Sequence, residues 1–393
     1  MRLVLYTGKG GVGKTTTAAA TAVCAAERGR RTLVASADAA HSLGDVLGRR
    51  LGPRPAAVAP RLEALEIDPR AELRRHWGRI RDYLVSLFVH QGLDAVVAEE
   101  LALLPGAEEL TTLLALQELL EGGVYDLVVL DCAPTDSTLR LVSLPEVARR
   151  SLRVLLPLLG ALAGVATPLA QRLVSLPLPG PGVFRDADTL LFRRLRALHR
   201  RLVARETSVR LVVTPERMVI DEARRLHTEL SLFELRCDAL IVNRLLPGAT
   251  AGEEFFRDWV RLQAERVREV AELFAPLPVL EAPLQPDEVT GLERLAAHGR
   301  ALFDRHAPDA LLSRAPRIRY WREGGEALAR IPLPGADPAQ LDVVKIEDEL
   351  AITSGPRRRS LKLPRRIAPL ALTRATLEGG ALVVRFARAQ AGS

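Results

Sequence analysis

The stretch TGKGGVGKTTT, residues 7 to 17, sets two lysines, Lys9 and Lys14, among four glycines directly after the apolar run RLVLY. Gly8, Lys9, Gly10, Gly11, Val12, Gly13, Lys14 and Thr15 satisfy the spacing G-x-x-x-x-G-K-[ST]. Glycines at these positions let backbone N–H groups turn toward a phosphate chain, and a helix opening at the end of the loop directs its positive end at the same charge. Lys14 would reach the terminal phosphates, and the Thr15 hydroxyl, with Thr16 beside it, would complete the shell of a magnesium ion. The expected ligand is a nucleoside triphosphate with Mg2+. Such a loop needs Lys14 alone. Of the 55 basic residues only Lys9, Lys14, Lys345 and Lys362 are lysines, so the two in this loop mark positions that require a compact ammonium group.

Two aspartates follow apolar runs. In YDLVVLDCAPT the run ends at Asp131, where a strand's carboxyl end would lie beside the phosphates. Asp131 is therefore a candidate magnesium-side acid, or otherwise a strand-end aspartate that caps the next turn. In SADAAHSLGDVLG, residues 36 to 48, Asp38 comes straight after a strand and could orient or deprotonate the water that attacks the γ-phosphate, with His41 and Asp45 as neighbours. Read without the loop, Asp38 would be a helix cap.

These residues need elements to hold them. Arg2–Tyr6 reads as a buried parallel strand and Thr15–Arg28 as an alanine-rich helix closed by Gly29. Further apolar strands are expected at Thr32–Ser36, Leu127–Leu130, Arg210–Val213, Ala239–Val242 and Pro278–Leu280, with helical periodicity between most of them. The fold class is α/β, a mainly parallel sheet with helices on both faces, over residues 1–314. Ala71–Leu120 and Glu146–Arg205 are too long and too helical for crossovers and predict a helical subdomain at one edge of the sheet. Inside the second, Val154–Gln171 is an uncharged run of 18 residues that reads as a buried helix pair, as an apolar client surface or as a membrane span. Two prolines and two glycines in it argue against the span, and SLPLPGPGVFRD after it predicts a loop. From residue 315 the pattern changes to short β runs (LDVVKI, LAITS, ALVVRF) broken by PLPGADP, SGPRRRS and EGG, so residues 315–393 predict a second, small all-β domain.

Composition narrows the classes. Hydrophobic residues at 48% and charged residues at 26% describe an ordinary globular chain, neither disordered nor spanning a membrane several times. Cys24, Cys132 and Cys237 lie far apart, which excludes a disulfide scaffold and predicts small core residues in a reducing compartment. No secretory leader is legible, so the expected location is the cytoplasm. The net charge of +7 comes from arginines dispersed among acids, and these read as solvated helix faces rather than a nucleic-acid surface; Arg357–Arg359 reads as a solvated hairpin turn.

KGGVGKTT with its early lysine, DAAHSLGDVLG, DCAPTDSTLRLVSLPE and ALIVNRLLP together resemble, in order, the phosphate loop, first switch, second switch and base-recognition strand of the arsenical pump-driving ATPase family, which includes the ATPases that guide tail-anchored membrane proteins. APLQPDEVTGLERL, from Ala282, is similar to the family's adenine-side loop. The resemblance implies a P-loop NTPase that hydrolyses ATP with Mg2+ as a homodimer. It implies that Lys9 reaches the partner's nucleotide, that Asp38 is the hydrolytic carboxylate, that Asp131 stands on the magnesium side, and that Asn243 and Pro283 contact adenine. Ala39 stands where the family has proline, and Asp136-Ser137 where it has glycine-histidine. No paired cysteines follow VNRLLP and no cysteine trio suits arsenite, so neither a zinc nor an arsenite site is expected. With Met1 and Met218 as the only methionines, leucines within residues 151–182 would have to form a client surface. Residues 341–386 resemble the small heat-shock-protein (alpha-crystallin-like) module that some bacterial members carry.

The function expected from all this is a nucleotide-gated, homodimeric ATPase acting on a hydrophobic protein client. Two alternatives stay open: a partition or positioning ATPase acting on DNA or membrane, and an arsenite-efflux motor.

Overall fold

The computed structural model describes residues 1–38, 42–68, 82, 85–86, 89, 94–95, 107–132, 193–314 and 316–388. Val154–Gln171, SLPLPGPGVFRD, His41, Ala39 and Asp136-Ser137 lie outside them.

The described chain opens β1 (Arg2–Thr7), α1 (Lys14–Glu27), β2 (Thr32–Ser36), α2 (Ser42–Leu47), β3 (Ala56–Ala59), β4 (Leu62–Glu66), α3 (Ala107–Glu121), β5 (Leu127–Asp131), α4 (Leu195–Leu202) and β6 (Thr207–Val213). It continues α5 (Arg217–Leu232), β7 (Cys237–Leu245), α6 (Glu254–Leu273), β8 (Val279–Pro283) and α7 (Leu292–Leu302). These eight strands form one sheet in the order β3-β4-β2-β5-β1-β6-β7-β8, and every neighbouring pair is parallel except β3 with β4. Strands buried on both faces read as unbroken apolar runs, which is why β1, β2 and β5 were legible. The edge hairpin β3–β4 carries alanines and glutamates in place of such a run and gives no strand signal. α1 is buried along most of its length, and its alanines let α7 approach closely: a Cβ on Gly299 would stand 2.5 Å from Cys24 Sγ and 2.8 Å from the Ala20 carbonyl oxygen. α3 and α4 supply helices within the two stretches expected to be helical, joined by an Arg194–Glu118 ion pair at 2.6 Å.

β6 begins at Thr207 and takes in Arg210, which is fully buried. Its guanidinium donates to Tyr6 Oη (3.0 Å) and to the carbonyls of Pro308 (2.8 Å) and Ala310 (3.0 Å), and pairs with buried Asp238 (3.4 Å), which Arg2 also meets at 2.9 Å. These arginines are not a solvated face. They pin the segment after α7 to the sheet, and the fork geometry of guanidinium makes that possible where lysine would not.

The C-terminal strands are β9 (Arg319–Glu323), β10 (Glu326–Pro332), β11 (Leu341–Ile346), β12 (Glu349–Ser354), β13 (Arg357–Lys362), β14 (Ala371–Glu378) and β15 (Ala381–Ala387). One antiparallel sheet runs β14-β15-β10-β9 and the other β11-β12-β13. Inward residues of both, among them Ala329, Ile331, Ile352, Leu361, Val384 and Phe386, share a core separate from that of the large sheet. Arg357–Arg359 corrects the expectation of a solvated turn. The turn sits at Gly355, and β13 starts at Arg357. Period-2 alternation leaves Arg358 in solvent and turns Arg359 onto the end of α5, where it donates to the Leu232 carbonyl oxygen and, at 2.6 Å, to Glu234. Arg357 meets Glu229 at 3.3 Å, and Thr228 Oγ1 donates to the Pro334 carbonyl oxygen at 2.5 Å. The β unit is thus fastened to the second half of α5.

Candidate functional site

The loop between β1 and α1 is shaped by two glycines. Gly8 lies against β6, where a Cβ would stand 2.2 Å from the Val212 carbonyl oxygen, and Gly13 takes a left-handed φ of 91° with a would-be Cβ 2.3 Å from Asn243 Nδ2. Lys14 is buried and its Nζ donates back over the loop to the Lys9 carbonyl oxygen at 3.1 Å. Gly10, Gly11 and Val12 complete the turn, and Thr15 and Thr16 follow Lys14 in the first turn of α1.

β5 lies between β1 and β2, so the register sets Asp131 opposite Tyr6 on one side and Ser36 on the other, at the carboxyl end of the sheet. Asp131 is fully buried near the Thr15 hydroxyl and accepts, at 3.5 Å, from Ser36 Oγ. Burial pushes its carboxyl up to about 6, aided by the carboxylate of Asp38 and opposed by Thr15, the Lys14 ammonium and Ser36. Its second oxygen, Oδ1, is buried and has no hydrogen-bond partner among the described residues. Half-buried Asp38 is set by its N–H, which donates to Ser36 Oγ at 3.2 Å, and Thr15 Oγ1 lies 3.2 Å from Ser42 Oγ on α2. An unpaired carboxylate oxygen beside a hydroxyl, a second carboxylate and a lysine is a donor set that fits magnesium together with phosphate.

A cavity of about 670 Å³ adjoins the loop, lined by Gly13, Thr16, Asn243, Pro283, the 284–290 loop and His298. Asn243 and Pro283, 40 positions apart in sequence, meet there because β7 and β8 are neighbours. Asn243 is tied into the fold: Nδ2 donates to the Val12 carbonyl oxygen at 2.9 Å and Oδ1 accepts from the Arg244 N–H.

Lys9 alone among the expected site residues turns away. Its Nζ lies 3.6 Å from Glu222 Oε2 on α5 of the same chain. Sequence reasoning passed over Glu222, Ser36 and His298; Ser36 and His298 sit in or beside stretches already singled out, but a lone serine, histidine or helical glutamate carries no spacing signal. The three cysteines are buried as expected, and burial raises the thiol pKa of Cys24, to about 11, and of Cys237.

The model of the anion-transporting ATPase family matches residues 1–304, and that of the HSP20-like domain found in ArsA matches residues 324–386. The chain belongs to the ArsA family. It is 33% identical over 394 residues to the Aquifex aeolicus protein named "Putative arsenical pump-driving ATPase 1", covering 98% of this chain and 99% of that one. A like-named protein of Chlorobaculum tepidum is 34% identical over 373 residues, 93% of this chain and 90% of its own. The protein named ATPase ARSA2 of Chlamydomonas reinhardtii is 29% identical over 323 residues, 78% and 86% of the two chains. Membership in an ATPase family implies a nucleotide as the ligand. Among the described residues no helix is long and apolar enough to cross a membrane, and no group of three or more His, Cys, Asp or Glu is placed to hold a metal ion by itself.

Proposed function

We propose that this chain is a magnesium-dependent, nucleotide-gated ATPase that works in pairs and acts on a protein client. The observation that carries the reading is Asp131 Oδ1: a buried carboxylate oxygen without a partner among the described residues, beside Thr15 and within the field of Lys14. In this reading the turned N–H groups of Gly10 to Gly13 and the Lys14 ammonium hold the phosphates, and Thr15, Asp131 and Asp38 hold Mg2+, which when bound spreads the charge of the transferred group. Asp38, steadied by Ser36, orients the attacking water, and water attack in line with the leaving oxygen then needs only positioning and charge stabilisation. Asn243 and Pro283 frame the base.

Pairing of two copies is supported by Lys9, which takes no part in its own phosphate loop beyond its backbone, and by α6, whose Phe255, Trp259 and Leu262 form an exposed apolar stripe at i, i+4, i+7. Residues 151–182 supply the apolar run on which a hydrophobic client segment would sit. The test is phosphate release with and without Mg2+. Asp38→Asn should stop turnover and keep ATP binding; turnover at the wild-type rate would sink the assignment. The arsenite-motor reading is favoured by the relatives' names, but buried thiols with raised pKa values oppose a thiolate site. Stimulation of hydrolysis by arsenite or antimonite would reinstate it.

A further inference from the structure

His298 lines the cavity of about 670 Å³, is 4% exposed, and among the described residues neither ring nitrogen has a hydrogen-bond partner. A neutral imidazole carries one N–H donor and one acceptor, and both lose water on burial and gain no partner in return among the described residues. Burial holds the ring below the usual histidine range, so at neutral pH it keeps this donor-acceptor pair and adds no charge to the cavity. The helix that carries it is fastened to its neighbours at several points. Gly299 seats α7 against Cys24 and Ala20 of α1, Arg300 pairs with Glu27 at 3.1 Å, and the Gly291 N–H at the head of α7 donates to the Val46 carbonyl oxygen at 2.9 Å. The other polar side chain deep in this cavity, Asn243, already spends an amide hydrogen on Val12 and an oxygen lone pair on Arg244. Asn243 keeps one amide hydrogen and one lone pair, whereas both ring nitrogens of His298 are open among the described residues, so His298 is the buried wall residue with no hydrogen bond yet committed.

We propose that His298 positions the nucleoside part of the bound nucleotide by hydrogen bonding, a role that rests on the cavity being the nucleotide site. The phosphates are held by the loop and the nucleoside is registered from the opposite wall by an uncharged ring. An imidazole suits that task because its ring nitrogens can donate or accept by choice of tautomer, matching either a base nitrogen or a sugar hydroxyl.

The experiment compares ATP with inorganic tripolyphosphate, which has no nucleoside, by calorimetric titration of the full chain. His298→Leu should weaken ATP about tenfold, the effect of one lost neutral hydrogen bond at a buried site, and leave tripolyphosphate within about twofold of wild type. His298→Gln, which still donates and accepts, should recover most of the ATP affinity. Equal loss of both ligands in His298→Leu would mean that the ring only supports α1, and unchanged ATP affinity would mean that it touches no ligand; either overturns the proposal. Lys14→Ala separates this from the underlying reading. If tripolyphosphate binds that variant as well as it binds wild type, the phosphate loop assignment itself fails.

Discussion

Lys9 Nζ and Glu222 Oε2 stand 3.6 Å apart, so the extra lysine of the phosphate loop is paired with a helix of its own subunit. The same helix, α5, holds the β unit through Thr228, Glu229 and the Leu232 carbonyl. A lysine that serves a second copy must first leave Glu222. The pair is half-exposed and contributes about 1 kcal/mol or less, so Glu222→Gln should hardly change the melting temperature. It should lower the protein concentration needed for ATP-dependent pairing by up to about fivefold, measured by analytical ultracentrifugation. An unchanged pairing threshold would make the contact incidental.

Lys9→Ala and Lys14→Ala should separate. The first should cut hydrolysis about a hundredfold or more while sparing ATP binding, as removal of a transition-state cation does. The second should lose binding too, since its ammonium lies buried over the loop. Normal turnover in Lys9→Ala would refute a cross-subunit role.

Asp131→Asn should stabilise the nucleotide-free protein and disable it. Burial has raised the carboxyl from 3.8 to about 6, so at pH 7 the fold carries a costly buried charge, and removing it should add about 1–3 kcal/mol in urea unfolding. Magnesium-dependent phosphate release should fall at the same time. A destabilised variant would show that Thr15 and Ser36 overcompensate the burial.

Acid should loosen the protein through His227. Burial lowers this imidazole from 6.5 to about 4, and the ring stacks on Phe274 at 5.7 Å. The unfolded chain binds the proton first, so stability is full above about pH 6.5 and is lost as pH falls toward 4, by up to about 3 kcal/mol. His227→Phe should flatten the slope of stability against pH in that window. An unaltered slope would assign the acid sensitivity to other groups.

Arg359→Ala should detach the β unit from α5. Loss of a buried guanidinium with two acceptors costs about 2–4 kcal/mol. Calorimetry should then resolve a separate β-unit transition, and protease should cut sooner near residues 313–318. One unchanged cooperative transition would count against the clamp.

The local features were legible because contiguous residues determine them. Residues 8–15 spell the loop; unbroken apolar runs mark β1, β2, β5 and β7; and LDVVKI, LAITS and ALVVRF mark β11, β12 and β15. Asp131 was found because it ends such a run. β3 and β4 were invisible because β3 is a short edge strand of mostly alanine and β4, paired between β3 and β2, breaks its two leucines with glutamate and alanine where the central strands run on in valine and leucine.

What sequence alone determined is thus the kind of chemistry and the alternation of elements that supports it. Tertiary structure decided where long-range partners meet, since pairing and burial depend on which strands become neighbours. The order β5-β1-β6-β7-β8 brings Asp131, the loop, Asn243 and Pro283 to one end of the sheet. It also turned Lys9 toward Glu222 across 213 positions, buried Arg210 and Arg359 among distant carbonyls, and placed the ring of His298, unpaired among the described residues, at the wall of the cavity. A charged or polar side chain shows nothing in sequence of the partner it will need, because that partner is supplied only when the fold removes water.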